Sequence, residues 1–289
     1  MDTPPLEDQL AALEDGRAYV EHAGLTMTVA SGADARRWLH DLVTADVASL
    51  ERFQTRPSLL LSPTGRIRAT FHVLGLERDF LLAQAADQPA PVGELLAPYI
   101  LSSDVMLGPS SLRVFSVPAS RVALPGMSTG WRPAIQGDGI DILVEGTTDN
   151  LRDTRERLAN AGLVPAHLDA VEALRIRRGI PRFPVDLGED SLPAEADLEQ
   201  TIDFEKGCFL GQESVAKVRN LGHPPRVVLA LRSEQRTSAG EPVLSRGQEV
   251  GAVTSTTPVL EGSALLAWVR WSAAGSDLRT AAGTVLRPA

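Results

Sequence analysis

Lys206-Gly207-Cys208-Phe209-Leu210-Gly211-Gln212-Glu213 holds the chain's one cysteine and sets it between two glycines. Glycine admits positive φ and lets the backbone approach a neighbour or a ligand closely, so the stretch reads as a tight turn around Cys208. Downstream, Val215, Val218 and Leu221 recur every three residues, Glu213 precedes Lys217 by four, and Gly222 offers a left-handed stop. This spacing predicts a short amphipathic helix with Cys208 near its entrance. A helix N-terminus and a neighbouring ammonium such as that of Lys206 both favour thiolate over thiol. Cys208 is therefore a candidate reactive or ligand-donating thiol; the plain alternative is a small buried apolar side chain.

Working outward, the 289 residues suffice for about two domains and a well-buried core. Hydrophobic residues at 43% and charged residues at 22% are an ordinary globular composition, and no apolar run approaches the length of a membrane span. The opening Met-Asp-Thr-Pro-Pro-Leu-Glu-Asp has neither the basic start nor the apolar middle of a signal peptide, so a cytoplasmic location is expected. A single cysteine excludes an intrachain disulfide and an all-cysteine metal or cluster site. The five histidines show no metal-ligand spacing, and His223 reads as a satisfied surface residue.

Net charge of −9 argues against a broad nucleic-acid surface, which needs clustered cations. The sign is unevenly spread. Residues 186–205 carry eight acids and no Lys or Arg, whereas 214–233 carry Lys217, Arg219, Arg226 and Arg232 and no acid. Two solvated faces are one reading, a basic rim for a small anion the other. Arg175, Arg177, Arg178 and Arg182 read as surface charges, with a ligand carboxylate facing one of them as the alternative, and Trp38, Trp131, Trp268 and Trp271 as core rather than stacking platforms.

Along the chain, the pattern predicts a helix over 5–15, strands at 18–20 and 25–29 beginning a small sheet, and a helix after Ser31-Gly32-Ala33-Asp34 with Trp38, Leu39, Leu42 and Val43 inward. A hairpin turns at Ser62-Pro63-Thr64-Gly65, its second strand burying Ile67, Ala69, Phe71 and Val73. A strand at 79–82, a helix over 92–100 kinked at Pro98 and strands near 104–107 and 111–117 follow. This β-α-β-β-α-β order suits a ferredoxin-like layer of helices on an antiparallel sheet. Turns over 126–139, a strand at 140–144, helices over 148–161 and from 168, and an irregular loop over 182–205 lead to the cysteine stretch. Short strands after Pro224-Pro225 predict an all-β domain over 225–289. The fold class is α+β, with domains 1–224 and 225–289.

The eight residues from Lys206 to Glu213 resemble the Lys-Gly-Cys-aromatic-x-Gly-Gln-Glu signature of the YgfZ family, folate-binding proteins linked to iron-sulfur cluster proteins and related to the glycine-cleavage T-protein. The similarity runs more loosely from Leu25 through Gly65-Arg66-Ile67 and Leu174–Pro181 to the terminal strands. It implies ferredoxin-like layers around a central cavity that accepts tetrahydrofolate, plus a small C-terminal β-barrel, with the cysteine loop at the cavity edge. Pro193-Ala194-Glu195 is similar to the family's Pro-x-Glu element, which makes Glu195 a candidate acceptor for pterin N–H donors. By the same resemblance Lys206, Gly207, Gly211, Gln212, Glu213 and Arg219 are candidate folate-binding residues, with Lys206, Lys217 and Arg219 as a rim for its glutamate tail. The implied function is an accessory role in assembly or maintenance of iron-sulfur enzymes, with links to tRNA modification. Its implied partners are folate and iron-sulfur clients or assembly factors. Ala69-Thr70 stands where the T-protein has an acidic pair, and Leu174-Arg175-Ile176-Arg177-Arg178-Gly179 where it has Leu-Arg-Leu-Glu-Ala-Gly, so aminomethyl transfer is the alternative rather than the first expectation. A non-enzymatic scaffold is the third.

Overall fold

The computed structural model describes residues 4–118 and 139–289. The expected turns from Gly126, and Trp131 among them, lie outside the described residues. The chain divides into two compact units: 1–60, 69–171 and 203–209 form one, and 61–68, 172–202 and 210–289 the other. The barrel begins at Arg226, as the composition change after Pro225 leads one to expect. The unit that holds it also takes in the hairpin tip, the 182–202 loop and the helix after the cysteine.

The first unit opens with α1 (Leu6–Glu14), which buries Leu10 and Leu13. Then come β1 (Ala18–Glu21), β2 (Leu25–Ser31), α2 (Ala35–Leu42), β3 (Thr55–Leu61), β4 (Ile67–Gly75), β5 (Phe80–Ala85) and α3 (Val92–Leu96). After α3 the chain tightens into a 3-10 turn, Ala97–Tyr99, at Pro98, whose missing N–H cannot continue the α ladder. β6 (Met106–Pro109), β7 (Leu112–Val117), β8 (Ile140–Glu145), α4 (Thr148–Asn160) and β9 (Val164–Ala166) complete the unit.

One sheet runs β3-β4-β5-β2-β6. β2 pairs antiparallel with β5 and β6, and β4 antiparallel with β5, the neighbour order of a ferredoxin-like sheet with β3 added at the edge. The alternation in β4 is as expected, with Ile67, Ala69, Phe71 and Val73 all buried. The other sheet runs β8-β7-β1-β9. β1 and β2 therefore belong to different sheets, against the expectation of one. Leu74, Leu81 and Met27 of the first sheet and Val114 of the second share one apolar cluster, so each strand is placed by burying its own face.

In the second unit, α5 (Leu168–Arg177) enters from the first, and α6 (Gln212–Leu221) ends at Gly222 with φ 90°. β10 (Arg226–Ser233), β11 (Pro242–Ser245), β12 (Gln248–Pro258), β13 (Ser263–Arg270), β14 (Leu278–Thr280) and β15 (Val285–Pro288) close into a barrel of order β10-β13-β12-β11-β14-β15. Closure removes exposed sheet edges. Leu231, Val243, Val253, Leu265, Val269 and Leu286 fill it, at about 1.5–3 kcal/mol for each fully buried aliphatic side chain.

Arg175 is not a surface charge. It is 2% exposed, with Nη1 donating to Asp186 Oδ2 at 2.7 Å and Nη2 to Ser255 Oγ at 2.8 Å, and Nε donating to Glu172 at 2.7 Å. Burial pulls the guanidinium pKa down, and its bond to Glu172 with the charges of Asp186 and Glu172 more than offsets this, leaving it raised. Asp186 also accepts from Thr254 at 2.5 Å, Ser255 at 2.7 Å and the Arg182 N–H at 2.9 Å. The pair locks the start of the 182–202 loop onto β12 with its hydrogen bonds satisfied.

Candidate functional site

The cysteine stretch is divided between the units after Phe209. In the first unit, Asp203 folds the chain into a side-chain turn, its Oδ1 accepting from the N–H groups of Glu205 at 2.9 Å and Lys206 at 3.1 Å. The Lys206 ammonium donates to the carbonyls of Val43 at 2.6 Å and Ala45 at 3.1 Å, and also to that of His40. His40 closes the last turn of α2 and Val43 is its C-cap, so the cation meets orphan carbonyls at the negative end of the helix dipole. The His40 ring returns the contact: Nε2 lies 3.0 Å from the Lys206 carbonyl, which can only accept, so Nε2 carries the hydrogen. Nδ1 lies 3.2 Å from both the Ala48 nitrogen and Asp46 Oδ1.

Burial lowers the Lys206 pKa to about 8, with Asp46, Asp41 and Asp203 pulling the other way. This ammonium is therefore not the free rim cation expected from sequence, because its three N–H donors already have backbone partners. Phe209, 6% exposed, anchors the other end of the loop, its ring centroid 5.6 Å from Lys206 Nζ. Between these anchors Gly207 and Cys208 are exposed. Gly207 has φ 103°, a conformation side chains resist. Cys208 is not the buried apolar side chain of the plain alternative.

In the second unit, Gly211 has φ 81°, and a Cβ on it would fall 2.4 Å from the Ser62 carbonyl oxygen. Opposite, a Cβ on Gly65 would meet Ser214 Cβ at 2.8 Å. The hairpin tip and the start of α6 thus pack backbone to backbone, and Gly211 is explained by that approach rather than by a ligand. Gln212 is half-buried at the first turn of α6, while Glu213, Lys217 and Arg219 are exposed; Val215 of the expected stripe is buried.

Glu195 is 3% exposed on the 3-10 turn Pro193–Ala196, which packs on β10. It is not a solvated acid. Its Oε2 accepts from Arg226 Nε at 2.6 Å, and Arg226 Nη2 reaches Ser191 Oγ at 3.1 Å and Asp190 Oδ2 at 2.9 Å. Burial raises the Glu195 pKa against the pull of Arg226. The acidic and basic stretches therefore meet within this unit, in part as partners rather than as two solvated faces. Glu195 and Arg226 line a cavity of about 280 Å³ with Asp190, Val228 and Trp268. The Arg226 guanidinium carbon lies 5.7 Å from the centroid of the Trp268 ring.

Arg226 and Trp268 were not among the expected site residues. The sign change from 186–205 to 214–233 was the signal for the first, and nothing in the pattern singled out the second. Of the tryptophans, Trp38 is buried, whereas Trp271 is 43% exposed and stacked on His223 with ring centroids 5.1 Å apart. Among the described residues no group of three or more His, Cys, Asp or Glu could hold a metal ion, and no helix is long and apolar enough to cross a membrane.

No family model matches this chain. It is 25% identical to a putative chloroplastic transferase of Arabidopsis thaliana over 89% of its own length and 66% of that protein. It is 32% identical to an aminomethyltransferase of Symbiobacterium thermophilum over 74% of its own length and 59% of the relative. The chain thus spans less than two thirds of these curated relatives. Among solved structures it is similar to the glycine cleavage system aminomethyltransferase T of Bartonella henselae, with TM-score 0.80 and 19% identity over 96% of this chain and 87% of that one. The fold is that of this aminomethyltransferase, and the homologues found are aminomethyltransferases and a putative transferase.

Proposed function

We propose that this chain is a cytoplasmic tetrahydrofolate-binding protein of the YgfZ type, serving the assembly or maintenance of iron-sulfur proteins with Cys208 as its working thiol. The observation that carries the reading is the exposed Cys208 between two anchored neighbours, in a sequence matching the signature of that family. Cys208 would supply a nucleophile, a redox group or a transient ligand to a partner's cluster.

Folate binding draws support from the aminomethyltransferase fold and from the cavity around Glu195. A pterin is flat and rich in N–H donors. A buried carboxylate has about four lone-pair sites, so the Arg226 bond leaves Glu195 acceptor capacity for such a ring, and Trp268 and Val228 supply apolar contact. The donor set fits. Exposed Lys217 and Arg219 on α6 are the cations proposed for the glutamate tail, so affinity for polyglutamyl ligands should fall as salt rises. Gln212, Glu213 and Gly207 remain proposed contacts on the strength of the resemblance.

Calorimetric titration of the full chain with tetrahydrofolate tests the reading. Heat of binding that weakens in Glu195→Ala is expected; no heat would leave a scaffold with a disused cavity. The names of the relatives favour a second reading, a folate-dependent aminomethyl transferase. Against it, positions 69 and 70 are Ala and Thr and carry no acid; Ala69 is buried, and both backbone groups of Thr70 are taken by the Gln88 carboxamide, at 2.7 and 3.1 Å. Glycine-cleavage activity of the purified protein would revive it.

A further inference from the structure

We propose that Lys206 and His40 form a clasp that fixes the presentation of Cys208, making both positioning residues rather than ligand contacts. The inference rests on the reading of Cys208 as the working group.

Lys206 has every polar group engaged. Its N–H is held by Asp203, its carbonyl by the His40 ring, and its ammonium by carbonyls at the end of α2. The link runs both ways between the same two residues, since Lys206 Nζ also donates to the His40 carbonyl. A contact that satisfied only orphan helix carbonyls would cap α2 and leave the loop free to pivot about the lysine side chain. The reciprocal bond from His40 removes that pivot by fixing the peptide unit that leads into Gly207. The ring is held on its other side by Ala48 N and Asp46 Oδ1, each 3.2 Å from Nδ1. Phe209 then pins the chain on the far side, so the path between anchors is only Gly207 and Cys208. A half-buried cation held by neutral carbonyls, without a hydrogen-bonded carboxylate, is a costly cap, which fits a device selected for placement of its neighbour.

Because Cys208 is the only thiol, a nitroxide attached there reports loop order directly. The expected result is a several-fold increase in nitroxide mobility in Lys206→Met, which keeps the apolar stem but has no donors, and a smaller increase in His40→Ala. Thermal unfolding should stay cooperative. Ethylammonium added to Lys206→Ala should restore the slow spectrum by supplying the missing cation, which a mere loss of packing would not allow. Wild-type mobility in a folded Lys206→Met overturns the clasp. If that variant does not fold, wild-type mobility in His40→Ala does so. The two failures are separable: full function in Cys208→Ser defeats the reading of the thiol, whereas the line shape judges the clasp whatever the thiol does.

Discussion

The two halves of the cysteine stretch use the same residue types for opposite ends. In the first unit the glycine before Cys208 has open space beside it, and the anchors on either side leave the thiol to solvent. In the second the glycine after it is pressed against the hairpin tip, and the helix that follows buries Val215. The charges divide likewise. Lys206 is held by neutral carbonyls and its pKa is depressed, while Arg175 and Arg226 are held by carboxylates and theirs are raised. A motif constrained at most of its positions is thus mainly scaffold, with Cys208 exposed between its anchors.

The sharpest contrast lies in the cations. Arg175→Ala leaves Asp186 buried without its guanidinium and should cost about 3–5 kcal/mol in urea unfolding. Near-wild-type stability would mean that the second unit is not locked as described. Next, Gly211→Ala combines a disfavoured φ with a Cβ driven into the Ser62 carbonyl, for an expected loss of about 2–4 kcal/mol. Gly207→Ala meets only the positive φ, so about 1–2 kcal/mol is expected. Equal costs at the two glycines would erase the comparison.

The smallest effect is one of pH. The folded Lys206 pKa lies below the ordinary value of 10.5, so between about 8 and 10.5 the unfolded chain binds more protons and this group's contribution to stability rises with pH. Wild type should therefore gain on Lys206→Met between pH 8 and 10, read as the difference in urea midpoints. A constant difference contradicts the half-buried, carbonyl-held ammonium.

Much of the fold was legible because it rests on periodicity. The alternation in β4, the stop at Gly222 and the short strands after Pro225 each follow from local chemistry, and the structure keeps them. The three-residue β14 is too short to establish a period of its own. β1 and β2 adjoin in sequence yet pair in separate sheets, because pairing is decided by partners far along the chain. At the site, the exposed thiol was legible as one of two readings. The role of Lys206 was not, since α2 and its free carbonyls are remote in sequence, and Arg175 was misread because its partner Asp186 lies beyond the helix that carries it.

The claim that the stretch exists to present a thiol is tested most directly by alkylation of the native protein. Iodoacetamide without denaturant, followed by intact mass and peptide mapping, should give one adduct, on Cys208, at a rate comparable to that of the unfolded chain. Modification only after denaturant is added would contradict the account, because it would return Cys208 to the interior.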